Sequence, residues 1–244
     1  MTSYDLTYHR YSERSILVNW PQQISTEILQ DVLRFKSVVE NSNIKQILQV
    51  NNAYNSILVF YNFTIENIYD EILALKRLYA EKFSVKIRAK KLWHIPVCYD
   101  ASFGIDLEAM SLELGLNNDQ LIEQHSGKIY TVFFLGFLPG FMYLGGLSEQ
   151  LYYPRKETPR IKVSKGAVAI GGEQTGVYPM ESPGGWNIIG NTPIDFFDPK
   201  ASLPCFVKAG DQIKFEAVTI DRYHHIQEEI DNAQYNLKVE EING

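Results

Sequence analysis

Hydrophobic residues recur along the chain with two different periods, and the changes from one to the other mark its elements. Tyr4, Leu6 and Tyr8 alternate with polar residues, and Ile16, Val18 and Trp20 do the same. A period of two puts every second side chain on one buried face, which predicts strands. The spacing then widens to three and four, and Ile28, Val32, Phe35 and Val39 form the stripe of a helix. Ser25 stands at its N-cap, where a hydroxyl can accept from a free backbone N–H, with Ile24 and Leu29 at the staple positions. Ile44 to Val50 and Ser56 to Tyr61 read as strands joined by the turn residues Asn51 to Asn55. Thr64 is expected to cap a second helix with the stripe Ile65, Ile68, Ile72, Leu75 and Tyr79, and Phe63 and Ile68 as its staple. A last strand is expected at Ser84 to Arg88. The order β-(β)-α-β-β-α-β over residues 1–90 is the split βαβ, ferredoxin-like pattern of an α+β domain.

The pattern changes between Lys90 and Lys91. Trp93 to Tyr99 predicts a strand, and Asp106 to Leu114 and Asn118 to Gln124 predict two short helices, each followed by a glycine, Gly115 and Gly127. From Lys128 the chain turns to short apolar runs broken by turn residues: Ile129 to Phe137, Lys162 and Val163, Ala167 to Ile170, Trp186 to Ile189, Phe206 and Val207, and Ile213 to Phe215. Such runs predict a β-sandwich or barrel over residues 91–222. Residues 223–244 read as a tail whose one regular stretch is a helix from His225 to Ala233.

Charge and composition narrow the classes. A net charge of -6 gives no basic face for phosphate contacts, so no nucleic-acid partner is expected, and the helix pair near 106–124 is not read as a DNA-binding motif. No run of about 18 apolar residues exists, so no membrane span is expected. The first residues, MTSYDLTYHRYSERS, carry no apolar stretch of a signal peptide. Cys98 and Cys205 lack a CxxC spacing and read as buried thiols of a reducing cytoplasm. The five histidines, His9, His94, His125, His224 and His225, show no HxxxH or HxH spacing, so no bound metal is expected. His224 and His225 read as a solvated strand end.

One block remains unexplained by core patterning. Residues 136–193 hold 11 of the 16 glycines and 6 of the 10 prolines. Barrels need turns, but glycine also permits close approach of backbone to a ligand. Phe141, Tyr143, Tyr178 and Trp186 sit at turn-rich positions where exposed rings could wall a pocket. Pro154 precedes Arg155 and Pro159 precedes Arg160, which restricts the backbone that aims each guanidinium. The two arginines suit a carboxylate or carboxyphosphate-like anion, or else salt-bridge Glu157 or Glu173. Gln174 and Tyr178 are candidate polar donors beside the glycine turn, and Ser182, Trp186 and Asn191 candidate pocket edges. The block contains no His, Cys or Asp and no nucleotide loop of the GxGxxG or GxxxxGK[ST] kind. Ser182 does not lie in GxSxG. A general acid or base inside it could come only from Glu149, Glu157, Glu173, Glu181, a lysine or a tyrosine, so the catalytic residues stay unassigned.

Taken together, IPVCYD at 95–100, GFLPGFMYLGGL at 136–147, PRKETPR at 154–160, GGEQTGVYPMESPGGWNIIG at 171–190 and TPIDFFD at 192–198 resemble the allophanate-hydrolase-subunit-1 family. That family includes the B-type subunits of 5-oxoprolinase, also known as Kip-type inhibitors of a sensor histidine kinase, and the resemblance runs from about Tyr4 to about Ile220. It implies a ferredoxin-like N-terminal domain followed by a cyclophilin-like β-barrel. It also implies C-type and A-type partners in one complex, with ATP as co-substrate of the complex and no cofactor bound by this chain alone. The implied activity is opening of 5-oxo-L-proline to L-glutamate. A histidine-kinase inhibitor and a carboxyltransferase-type subunit of a urea or acyl carboxylase or of an allophanate-hydrolase-like system are the alternatives. The chain departs from the family pattern at Ser164, Lys165 and Gly166, where Pro-Ala-Gly is usual, and at Asn191, where an arginine is usual.

Overall fold

A computed structural model describes residues 4–42, 44, 46–81 and 89–242. The chain divides into two compact units, Met1–Arg88 and Ala89–Gly244.

In the first unit, β1 (Thr7–Ser12), β2 (Ser15–Asn19), β3 (Ile47–Asn52) and β4 (Ser56–Tyr61) form one antiparallel sheet in the order β1-β2-β4-β3. Helix α1 (Thr26–Glu40) buries Ile28, Val32, Phe35 and Val39, the stripe read from the sequence. Its Ser25 hydroxyl accepts from the Ile28 N–H at 3.1 Å, as a cap should. The second helix differs from expectation. α2 runs Ile68–Ala80, and its cap is Asn67, whose side chain accepts from the Tyr69 N–H, rather than Thr64. Ile65 is buried, but from a loop: its N–H donates to the Glu13 carbonyl at 2.8 Å and leaves the helical path. The strand expected at Ser84 to Arg88 lies outside the described residues.

The second unit is a barrel. β5 (Lys90–Cys98) pairs in parallel with β13 (Gln212–Val218). The ring continues through β6 (Ile129–Leu135), β7 (Met142–Gly145), β10 (Gln174–Val177), β9 (Ala167–Gly171) and β12 (Asn187–Asn191). It closes where Asn191 of β12 pairs with Cys98 of β5, giving seven strands. Ile95, Val97, Tyr130, Val132, Val168, Ile170, Ile189 and Phe215 fill the interior. Phe206 and Val207 add to this core without forming a strand.

The expected tail is part of this unit. α5 covers Ile220–Asp231, so His224 and His225 lie on a helix and not at a strand end. β14 (Val239–Ile242) pairs antiparallel with the first half of β5, the half that β12 does not reach. His94 ties the addition in place, with Nδ1 at 2.6 Å from Glu216 of β13 and Nε2 at 2.8 Å from Glu240 of β14.

Helices α3 (Leu107–Glu113) and α4 (Asn118–Ser126) follow β5, and α4 sends Leu121 and His125 into the core. His125 is fully buried yet satisfied. The Thr175 hydroxyl donates to the Ala169 carbonyl, so it accepts from His125 Nε2–H at 2.8 Å, and Tyr99 donates to Nδ1 at 2.7 Å. Burial pushes His125 down from its ordinary 6.5 to about 3.

The unfolded chain therefore takes up this proton near pH 6.5 while the folded chain refuses it until about pH 3. The stability that depends on neutral His125 is complete above pH 6.5 and is lost as the pH falls, by about 3 kcal/mol between pH 6.5 and 4. Urea unfolding across this range should show a shallower acid limb for His125→Gln than for the wild type. Equal slopes would assign the acid loss to other groups.

Candidate functional site

The glycine- and proline-rich block builds a second layer on the outside of the barrel. All five residues of β9 are buried. Val168 and Ile170 face the interior, while Ala167 and Ala169 face outward into a separate cluster with Phe141, Val163, Tyr178, Trp186 and Ile188. A two-stranded ribbon, β8 (Arg160–Val163) with β11 (Ser182–Gly184), supplies part of that cover.

Glycine lets the rings lie flat on backbone. A Cβ on Gly171 would sit 2.6 Å from atoms of the Trp186 indole, and one on Gly184 would sit 2.7 Å from Cζ of Tyr178. The close approach read from the sequence is real, but the approaching groups are the protein's own rings. Phe141, Tyr178 and Trp186 are thus buried, contrary to the expectation of exposed pocket walls, and Tyr143 is half-buried. Phe141 stands at the centre, with ring centroids 5.1 Å from Tyr143, 5.3 Å from Tyr178 and 5.5 Å from Trp186. Edge-on aromatic contacts of this kind add about 0.5–1.5 kcal/mol each beyond area burial.

One charge is stacked on a ring of this layer. Arg155 is exposed, and its guanidinium lies over the Trp186 ring, 5.4 Å from the centroid. An arginine stacked this way keeps its N–H donors free at the edges. In the same cluster, burial pushes the Tyr178 phenol up, while the Trp186 backbone N–H and the charges of Arg155 and Arg160 pull it back. Gln174 begins β10 and shares a face with Gly176, whose absent Cβ would lie 3.1 Å from Cζ3 of Trp186. Its Nε2 is buried and has no hydrogen-bond partner among the described residues.

Arg155, Gln174, Tyr178 and Trp186 therefore share one face. The other expected site residues do not join them. Arg160 turns to Asp106, donating from Nη2 to Oδ1 at 2.6 Å. Its ion-pair partner is therefore neither Glu157 nor Glu173. The Ser182 hydroxyl donates to the Pro183 carbonyl within the ribbon. Asn191 lies at the far end of β12 from Trp186, where its amide donates to the Lys165 carbonyl and accepts from the Tyr223 hydroxyl at 2.9 Å. Both ends of that amide are engaged.

Asp106 is the residue that sequence patterning missed. It stands at the N-cap of α3 but makes no capping bond there. Its Oδ1 faces Arg160 and Lys156, the latter at 2.9 Å, and its Oδ2 accepts from the Ile188 N–H at 2.7 Å. Burial alone would raise this carboxyl, but the hydrogen bonds from Arg160, Ile188 and Lys156 outweigh it and hold it below the ordinary carboxylate range. A carboxylate just before a helix reads as a cap, and no local spacing announces a partner 54 residues away. No group of three or more His, Cys, Asp or Glu that could hold a metal ion exists among the described residues.

Gly171→Ala should destabilise the chain by about 2 kcal/mol, because the added methyl forces the indole off β9. Gly185→Ala, where the nearest atom would be an ordinary 3.5 Å away, should cost far less. Urea titrations of the two variants compare them directly, and equal losses would remove Trp186 as the reason for Gly171.

Comparisons with known proteins add the lineage. Residues 6–207 match the family model described as carboxyltransferase domain, subdomain C and D. A Bacillus subtilis protein, named as the B subunit of 5-oxoprolinase, is 31% identical over 230 residues, covering 89% of this chain and 95% of the relative. The crystal structure of TTHA0988 aligns with a TM-score of 0.72 at 30% identity, over 84% of this chain and 40% of that one. The K. lactis urea amidolyase shares the fold, with a TM-score of 0.82 at 21% identity, over 98% of this chain. This chain spans only 40% and 16% of those two solved chains. The chain belongs to the family of carboxyltransferase domains, subdomains C and D, that includes the B-type subunits of 5-oxoprolinase.

Proposed function

We propose that this chain is the B-type subunit of an ATP-dependent 5-oxoprolinase, which opens 5-oxo-L-proline to L-glutamate. The observation that carries the reading is the nearly end-to-end match with a protein of that name, 89% of this chain against 95% of the relative. The first unit is then a ferredoxin-like domain and the barrel a cyclophilin-like one.

The chemistry of the outer layer suits the role. 5-Oxoproline carries one carboxylate and one lactam amide. Arg155 offers a guanidinium with free edges, and the buried Gln174 amide and the Tyr178 phenol lie on the same side of the sheet. The block contains no His, Cys or Asp, and its glutamates, lysines and tyrosines would each need a shifted pKa to exchange a proton at neutral pH, a task that a partner's residues would take over in this reading. The site is therefore half of an active centre, completed by a C-type partner, with an A-type partner completing the ATP-dependent reaction. The chain alone is inactive in this reading. A cytoplasmic setting fits its two free thiols, Cys98 and Cys205.

The likeness to urea amidolyase, 98% of this chain, favours one second reading, a carboxyltransferase-type subunit of a urea or acyl carboxylase. One preparation separates the two. The chain purified with its A- and C-type partners should release glutamate from labelled 5-oxoproline only when ATP is present. Carboxylation of urea with a biotin carrier, and no glutamate, would replace the first reading by the second. A fall in sensor-kinase autophosphorylation at saturating chain, without either activity, would replace both with an inhibitor role.

Arg155→Ala should lower turnover of the assembled enzyme by about tenfold or more while its thermal midpoint stays close to the wild type's. A matching fall in stability would make Arg155 a structural cover for Trp186 instead.

A further inference from the structure

The loop that carries Arg155 has no strand or helix between Pro154 and Pro159. It is held at separate points. The Asn187 amide donates to the Pro154 carbonyl at 2.8 Å, and the Lys156 N–H donates to the Gly185 carbonyl at 2.7 Å. The third point is electrostatic: Lys156 Nζ and Arg160 Nη2 both reach Oδ1 of Asp106, at 2.9 and 2.6 Å. Asp106 itself is only 6% exposed, and the Ile188 N–H fixes its other oxygen to β12.

The charges of this loop are thus divided between two jobs. The loop carries Arg155 and Lys156, and Arg160 opens the strand that follows it, so three cations stand close together in sequence. Two of them face the same buried carboxylate, and Arg155 alone has no ion-pair partner among the described residues. One guanidinium pairs bidentately with a carboxylate or a phosphate and cancels one charge, so a second cation strengthens binding of doubly charged phosphate more than that of a monocarboxylate.

We propose that Asp106 is a positioning residue of the Arg155 site, which withdraws Arg160 and Lys156 from the ligand and so makes the site select a monocarboxylate over phosphate. This rests on the 5-oxoprolinase reading for the identity of the carboxylate. The division of charge is independent of that reading. Replacing Asp106 by asparagine removes the charge that holds the two cations. Arg160, whose charge acts on the same Tyr178 phenol as that of Arg155 and whose buried Nη1 has no partner among the described residues, becomes free to add a second guanidinium to the site.

The test compares wild type, Asp106→Asn, Arg160→Met and the double variant, each as the full chain alone and assembled with the A- and C-type partners. In the assembled enzyme, inorganic phosphate should inhibit Asp106→Asn at about fivefold lower concentration than wild type. The KM for 5-oxoproline should move by about fivefold with kcat nearly unchanged, and adding Arg160→Met should abolish the gained phosphate inhibition. In the chain alone, phosphate should slow amide exchange of residues 154–160 in Asp106→Asn only. Arg160→Met alone keeps Asp106 paired with Lys156 and should show no phosphate effect. A folded Asp106→Asn with wild-type phosphate response, or a double variant that keeps the gain, would overturn the proposal. A wild-type complex that leaves 5-oxoproline intact would sink the functional reading instead, and the exchange experiment would still decide the role of Asp106.

Discussion

The outer layer depends on one packing constraint: the Trp186 indole lies on the backbone of β9, where only a glycine at 171 leaves room. That contact lets β9 be buried on both faces, one against the barrel interior and one against the added layer. A strand with no wet face is set in register by two cores at once, since a one-residue slip would exchange Val168 and Ile170 with Ala167 and Ala169. The large residues suit the barrel interior and the small ones leave space for the rings outside. With the indole fixed, its ring becomes a platform, and the Arg155 guanidinium lies over it. The position of the exposed charge is therefore a consequence of the packing beneath it.

Much of the architecture is legible in the sequence because it rests on local patterns. Ser25 and the stripe Ile28, Val32, Phe35 and Val39 define α1 by spacing alone, and the structure repeats them. Short apolar runs between turn residues are enough to anticipate a closed β-structure for the second unit. The errors arise where a distant contact decides. Ile65 fits the stripe of a helix, yet its N–H is held by Glu13, and the helix starts after it with Asn67 as cap. β14 has the sequence VEEI and mostly exposed side chains, so no periodic apolar pattern marks it. Its place comes from pairing with β5 and from His94, which sits some 146 residues away from Glu240 in the chain.

The site shows the same division. Glycine density announces that something approaches the backbone closely, and composition cannot tell a ligand from the chain's own tryptophan. Arg155, Gln174, Tyr178 and Trp186 are legible because they share the block, as polar or aromatic side chains beside its glycines and prolines. Arg160, Ser182 and Asn191 share the block as well but are engaged elsewhere, and each by a partner that the linear spacing does not reveal or by its own neighbour's backbone. Asn191 is the instructive case. It departs from the family's usual arginine, and it holds β12 to Tyr223 of α5 through an amide with both ends used. An anion-holding role at that position would have to break the helix contact.

Asp106 joins these observations. A buried carboxylate is costly unless charged and neutral donors surround it, and here Arg160, Lys156 and the Ile188 N–H supply them. Its position before α3 connects the helical insertion to β12 and to the loop of Arg155, three parts of the chain with no regular structure in common. A hydrophobic replacement could fill the same space, but it could not choose which of three neighbouring cations remains free. The buried ion pair is thus better understood as a device for specificity than for stability. On that view the outer layer is organised in two levels: glycines and rings fix where a charge can stand, and one carboxylate from outside the block fixes which charge stands there.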